Sequence, residues 1–165
     1  MKGESILLKT ILVPVDGSTT SFKALKYAVN LCKDCGSKLV VSTVVFPYIF
    51  SDASNLRNSE MAVLVSPQIP PKIKDAAGDL VEDCGKERVL AIAKKKLAKE
   101  KELEIEYRCI ISEDPAKSIV EQAAALKADT IVMGNRGMGQ FAEILLGSVG
   151  NKVISFAKCP VVIVK

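Results

Sequence analysis

Gly134-Asn135-Arg136-Gly137-Met138-Gly139-Gln140, followed a little further on by Gly147-Ser148-Val149-Gly150, is the part of the chain with the residue types for anion chemistry. Glycines let a backbone turn sharply and bring its N–H groups close to a phosphate, with no side chain in the way. Gly147-Ser148 also opens an apolar-periodic segment, and the first N–H groups of a helix and its dipole favour negative charge. The two stretches therefore predict two walls of one phosphate pocket, with the Ser148 hydroxyl expected both to cap the helix and to donate to phosphate. A second loop, Pro14-Val15-Asp16-Gly17-Ser18, leaves the first apolar run and brings a carboxylate and a helix cap to the same end.

Other chemistries are excluded by what the sequence lacks. Gly137-Met138-Gly139-Gln140-Phe141-Ala142 loosely fits a dinucleotide fingerprint. That motif belongs after the first strand of a unit and needs an acid about twenty residues on, where this chain has Cys159-Pro160-Val161-Val162. There is no Gly-Lys-Ser/Thr, so a P-loop is absent. The chain has no histidine, which removes Ser-His-Asp and Cys-His nucleophiles, histidine-metal motifs and the usual proton shuttle near neutral pH. No catalytic residue is assigned: Glu143 lies on the right segment but reads as a solvent-facing residue before Ile144-Leu145-Leu146. Five cysteines are an odd number for a disulfide framework, so reduced thiols are expected. Cys32-Lys33-Asp34-Cys35 has redox or zinc spacing but ends a helix instead of starting one, and has no second pair, so it reads as incidental.

The elements that must position the glycine stretch alternate along the chain. Residues 10–15, 38–45, 104–111, 129–133 and 161–164 read as strands, and helical patterns separate them, which predicts a parallel sheet with crossover helices. Continuous apolar runs such as Ile11-Leu12-Val13 suit central strands covered on both faces. The alternation of Ile105, Tyr107, Cys109 and Ile111 with polar neighbours predicts an edge strand. Ser18 is expected to cap a helix to about Cys35, with Phe22, Leu25, Val29 and Cys32 inward and Gly36 as its stop. A long helix is expected over 79–101, and a third from Pro115 after Asp114. A fourth follows Gly147, with Val149, Val153, Ile154 and Ala157 buried. Residues 46–74 carry Pro47, Pro67, Pro70 and Pro71. They form either a cover over a ligand at the strand end or a variable surface excursion, with room for a short helix over 58–65.

At 165 residues, with 48% apolar and 25% charged residues, the chain suits one domain over 1–165 with its own core. The net charge of +4 comes from scattered lysines. Lys94-Lys95-Lys96, Lys99 and Lys101 are interleaved with glutamates and read as a solvated helix face, so no nucleic-acid partner is expected. No apolar run approaches the ~18 residues of a membrane span and the start is broken by charge, so no membrane insertion and a cytoplasmic location are expected.

The spacing Gly134-x2-Gly137-x9-Gly147-Ser148, the opening Pro14-Val15-Asp16-Gly17-Ser18 and the ending Lys158-Cys159-Pro160-Val161-Val162-Ile163-Val164 together resemble the universal stress protein family, ATP-binding type. Residues 46–74 and Glu113, where many members have glycine, depart from it. The resemblance implies an open five-stranded parallel sheet, Rossmann-like and similar to the adenine nucleotide alpha hydrolases, flanked by helices on both faces with strand order 3-2-1-4-5. It also implies an ATP clamp. Pro14, Asp16 and Val44 would line adenine and ribose; Met133, Gly134, Asn135, Arg136, Gly137, Met138, Gly139 and Gln140 the ribose and phosphates; Gly147, Ser148, Val149 and Gly150 the phosphates again. Alternatives stand beside these roles: packing at strand ends for Pro14 and Val44, a Mg²⁺ held through water for Asp16, and a solvent-facing cation for Arg136. Members of the family dimerise through the last strand, and Val161 to Val164, wholly apolar at a sheet edge, suits pairing with its copy in a homodimer. Three functions fit: a nucleotide-dependent sensor or signalling module in stress response, a slow Mg-dependent ATPase or phosphotransferase at the same site, or an interaction module without nucleotide, working with an unknown protein partner.

Overall fold

Ile11, Leu12 and Val13 are fully buried, as are Leu39, Val40 and Val41 beside them, because both faces of these strands are covered. The structure is a computed structural model and describes residues 8–45, 88–136 and 146–165. The elements run β1 (Thr10–Pro14), α1 (Thr19–Cys35), β2 (Lys38–Val45), α2 (Arg88–Leu97), β3 (Ile105–Ile111), α3 (Pro115–Ala125), β4 (Thr130–Gly134), α4 (Ser148–Phe156) and β5 (Val161–Val164). The five strands form one sheet in the order β3-β2-β1-β4-β5, with every pairing parallel. Both the strand order and the edge position of β3 are as expected, with strand ends within a residue of those read from the pattern.

The period-2 alternation of the strands divides the core. Ile11, Val13, Leu39, Val41 and Val132 meet Ala24, Leu25 and Ala28 of α1 and Leu90 and Ala93 of α2. Leu12, Val40, Ile131 and Met133 turn the other way, onto Ile119 and Ala123 of α3 and Val153 of α4. Helix α1 starts at its Ser18 cap and stops where Gly36 takes the left-handed conformation, φ 67°. Asp114 caps α3 through the Lys117 N–H, with Pro115 in the first turn.

Two helix expectations are corrected. The second helix ends at Leu97, short of Lys101; the Glu100 N–H bonds the Leu97 carbonyl in a turn instead, and alternating lysine and glutamate provide no apolar face to prolong it. Ile154 is exposed, not buried. Only Val153 of that pair faces the sheet, because successive helical residues diverge by ~100°. The helix start expected over 79–87, the segment 46–74, the loop residues Gly137, Met138, Gly139 and Gln140, and Glu143 lie outside the described residues.

Lysines of the cluster are used locally. Lys94 stands 5.2 Å from the Tyr107 ring centroid and Lys96 5.1 Å from that of Phe22, bracing α2 across β3 and α1. No helix among the described residues is long and apolar enough to cross a membrane.

Candidate functional site

Strands β1 and β4 pair through Ile11 with Thr130 and Leu12 with Ile131, and this ladder stops short of their carboxyl ends. From this point the chain winds to β2 and β3 on one side and to β4 and β5 on the other. Such a reversal opens a crevice beyond the strand ends, the place where open α/β sheets take ligands. Pro14 stands just beyond the last paired residue of β1 in that ladder. The Val15 N–H goes to the Ser42 carbonyl of β2 at 2.7 Å, so by the alternation of a parallel ladder Pro14 faces β4, and a residue with no N–H costs nothing on that side.

Asp16 and Gly17 turn the chain from β1 into α1. The Asp16 Oδ1 accepts the Ser18 N–H at 3.0 Å, and its Oδ2 makes no hydrogen bond among the described residues. Gly17 has φ 91°, and a β-carbon there would sit 3.2 Å from Val89 Cγ2, so the turn needs glycine both for conformation and for the approach of α2. Ser18 Oγ accepts the Ser21 N–H at 3.1 Å, closing the start of α1.

The exit of β4 is held from three sides. The Asn135 N–H donates to the Val164 carbonyl of β5 at 2.9 Å, and the Asn135 carbonyl accepts the Gly147 N–H, also at 2.9 Å, which ties the start of α4 to the end of β4. The Thr20 hydroxyl donates to the Arg136 carbonyl at 2.6 Å. Gly134 lies so close to α1 that a β-carbon would be 2.8 Å from the Thr20 carbonyl carbon and 2.9 Å from the Ser21 nitrogen. Its φ is not positive. Glycine at 134 is thus required by helix–strand contact, whereas the sequence suggested only an open phosphate cradle.

At α4 the expected cap is corrected. Gly147, not Ser148, is the N-cap, and no side-chain cap bond is made; Ser148 is the first helical residue. A Ser, Thr, Asn or Asp at the cap position would have used its oxygen on one of the first N–H groups. Glycine leaves the N–H groups of Ser148, Val149 and Gly150 without a capping partner among the described residues, at the positive end of the helix dipole. Starts of α1 and α3 are closed by Ser18 and Asp114, and that of α4 is open beside the β1/β4 crevice.

The residues named from the sequence therefore fall into two groups. Pro14, Asp16, Met133, Gly134, Asn135, Arg136, Gly147, Ser148, Val149 and Gly150 come together at the carboxyl end of the sheet, with Val44 there on β2 one strand further out; Arg136 and Ser148 are exposed. Gly137, Met138, Gly139 and Gln140 are not described. Thr20 belongs to no motif of the sequence; the run of hydroxyls Ser18-Thr19-Thr20-Ser21, more than a cap needs, is the one local signal for it. Among the described residues no cluster of three metal-binding side chains occurs. Cys32 is buried, which pushes its thiol up to about 12 with a smaller contribution from Cys35, so it is not a nucleophile at neutral pH.

Fold and crevice define an open parallel α/β domain with an uncapped helix start at the carboxyl end of its sheet. The chain belongs to the universal stress protein family, whose pattern matches residues 8–165. It is 34% identical over 161 residues to the universal stress protein MJ0531 of Methanocaldococcus jannaschii, covering 96% of this chain and 83% of that one. It is 31% identical over 159 residues to universal stress protein YxiE of Bacillus subtilis, covering 96% and 100%. Among solved structures, the hypothetical protein MJ0577 superposes with TM-score 0.68 at 25% identity over 97% of both chains. A universal stress protein in complex with cAMP does so with TM-score 0.63 at 25% identity, over 96% of this chain and 97% of that one.

Proposed function

We propose that this protein is an ATP-binding universal stress protein, a homodimer that senses or signals nucleotide state in the stress response. The open start of α4, held against the end of β4 by the Gly147–Asn135 bond, carries the reading. Phosphates bind the N–H groups of Ser148, Val149 and Gly150, the Ser148 hydroxyl and the glycine loop from Gly134 to Gln140. Pro14 and Val44 supply apolar walls for adenine, a base that a relative's complex with cAMP also contains. The uncommitted oxygen of Asp16 takes a ribose hydroxyl or a water of Mg²⁺. One carboxylate fits that ion when phosphates and waters supply the rest of its octahedron.

The two sheet edges support the dimer. Edge strand β3 carries charge: Lys38 of β2 bridges Glu106 at 2.8 Å and Glu104 at 3.1 Å, and Arg108 also holds Glu106. Edge strand β5 is Val161-Val162-Ile163-Val164, each partly exposed, with nothing to discourage pairing. A two-fold axis through it would join two sheets into one.

The test is Ser148→Asp, with ATP binding read by calorimetry and any co-purified nucleotide identified by mass and absorbance. The carboxylate favours the helix dipole, so stability without ligand holds or rises by about 0.3–1 kcal/mol. Repulsion of a phosphate about 4 Å away, at about 1–4 kcal/mol, lowers ATP affinity roughly five- to a thousandfold. Unchanged ATP binding in this variant overturns the phosphate site.

A further inference from the structure

We infer that Thr20 is a positioning residue of the nucleotide site: its hydroxyl fixes the Arg136 carbonyl toward α1 and so keeps that oxygen turned away from the phosphates. The inference rests on the phosphate-binding reading above and goes past it to a residue outside the glycine motif. Thr20 Oγ1 lies 2.6 Å from the Arg136 carbonyl oxygen. Ser18 Oγ is 3.2 Å from Thr20 Oγ1 and 3.5 Å from the same carbonyl. The single Thr20 proton goes to the carbonyl at the shorter distance. The Ser18 proton is then available to Thr20 Oγ1, while Ser18 Oγ accepts the Ser21 N–H. The hydroxyls thus form a directed chain from the capped start of α1 to the Arg136 carbonyl.

This bond matters for a phosphate site because a carbonyl oxygen is a negative end. Turned into the crevice it would repel a phosphate; committed to Thr20 it points at α1. Gly134 lets α1 come close enough for this bond, since a β-carbon there would lie 2.9 Å from Thr20 Oγ1 itself. Among the described residues the Arg136 carbonyl is held by the Thr20 hydroxyl, with that of Ser18 further off.

Thr20→Val keeps the shape and removes the donor, Thr20→Ser keeps the donor, and Thr20→Ala removes the donor without a branched side chain in the first turn. ATP is titrated calorimetrically into each protein with Mg²⁺, and each is melted without nucleotide. Loss of one positioning hydrogen bond weakens ATP binding about three- to tenfold in Thr20→Val and Thr20→Ala, with affinity within about twofold of wild type in Thr20→Ser. Should Thr20→Val not fold, Thr20→Ala carries the comparison. Wild-type affinity in the folded variants lacking the hydroxyl overturns the inference and leaves the proposed function standing. Equal weakening in all three, Thr20→Ser included, also overturns it, because the methyl and not the hydroxyl would then matter. If the wild-type protein itself binds no ATP, the proposed function fails and the inference fails with it.

Discussion

Replacing Gly134 with alanine separates two reasons for a glycine that the sequence alone cannot tell apart. The added β-carbon would stand 2.8 Å from the Thr20 carbonyl carbon, 2.9 Å from the Ser21 nitrogen and 2.9 Å from Thr20 Oγ1. Ordinary carbon contacts begin near 3.4 Å, so α1 must move away by about 0.6 Å. The obstacle is backbone, which cannot swing aside. Helix α1 is anchored by Ala24, Ala28 and Cys32, all with no exposed surface, and by Leu25 and Val29, so displacing it disturbs one whole layer of the core. Overpacking of this kind costs about 1–3 kcal/mol, and lengthening the Thr20–Arg136 bond adds up to about 1 kcal/mol. We expect destabilisation of about 2–3 kcal/mol, or a melting temperature lower by roughly 4–12 °C for a domain of this size, read by thermal and urea denaturation without nucleotide. Gly150→Ala is the control. Its β-carbon would meet Leu146 Cδ1 at 2.9 Å, the movable end of a side chain, and alanine gains about 0.8–1 kcal/mol of helix propensity over glycine, so stability should stay within about 1 kcal/mol. A Gly134→Ala protein as stable as wild type refutes the packing argument; if it had also lost ATP, the glycine would serve the ligand alone.

Two further predictions concern the sheet edges. Lys38, with Arg108, holds the Glu106 carboxyl below the ordinary carboxylate range, and Glu106, then Glu104, raises the Lys38 ammonium. A depressed folded carboxyl contributes stability above its unfolded pKa and loses it as pH falls through the folded value. The urea-midpoint advantage of wild type over Glu106→Gln should therefore be present at pH 7, shrink as pH falls through and below the ordinary carboxylate range, and weaken in high salt; an advantage that grows toward acid would contradict the ion pairing. On the opposite edge, Pro160 and Val164 turn their carbonyls to β4, so Val161 and Ile163 present their N–H groups outward. Ile163→Pro removes one outward donor and no bond to β4, and should convert the proposed dimer to a folded monomer in light scattering; an undiminished dimer rules out pairing through β5.

Much of the architecture was legible because it depends on local pattern. Unbroken aliphatic runs marked β1 and β2 as central, alternation in Ile105–Ile111 marked β3 as an edge, and Ser18, Gly36 and Asp114-Pro115 are helix ends whose chemistry is local. The second helix overran because its lysine-rich tail has good helix propensity without a buried face, and packing sets where a helix stops. Ile154, an apolar residue next to Val153, looks in sequence like part of the same stripe, but its orientation depends on how α4 lies on the sheet, and it is exposed.

For the site, residue type and spacing determined that the stretch from Gly134 to Ser148 suits phosphate, since glycine freedom and helix-start N–H groups are properties of the local chain. Tertiary structure decided what each glycine is for. Gly134 admits the backbone of α1, Gly147 leaves α4 uncapped, and Thr20, 116 residues from Arg136 in the chain, takes hold of its carbonyl. These roles depend on which backbones are brought within a few ångströms of one another, and distance in space between segments far apart in sequence is the quantity that no local pattern encodes.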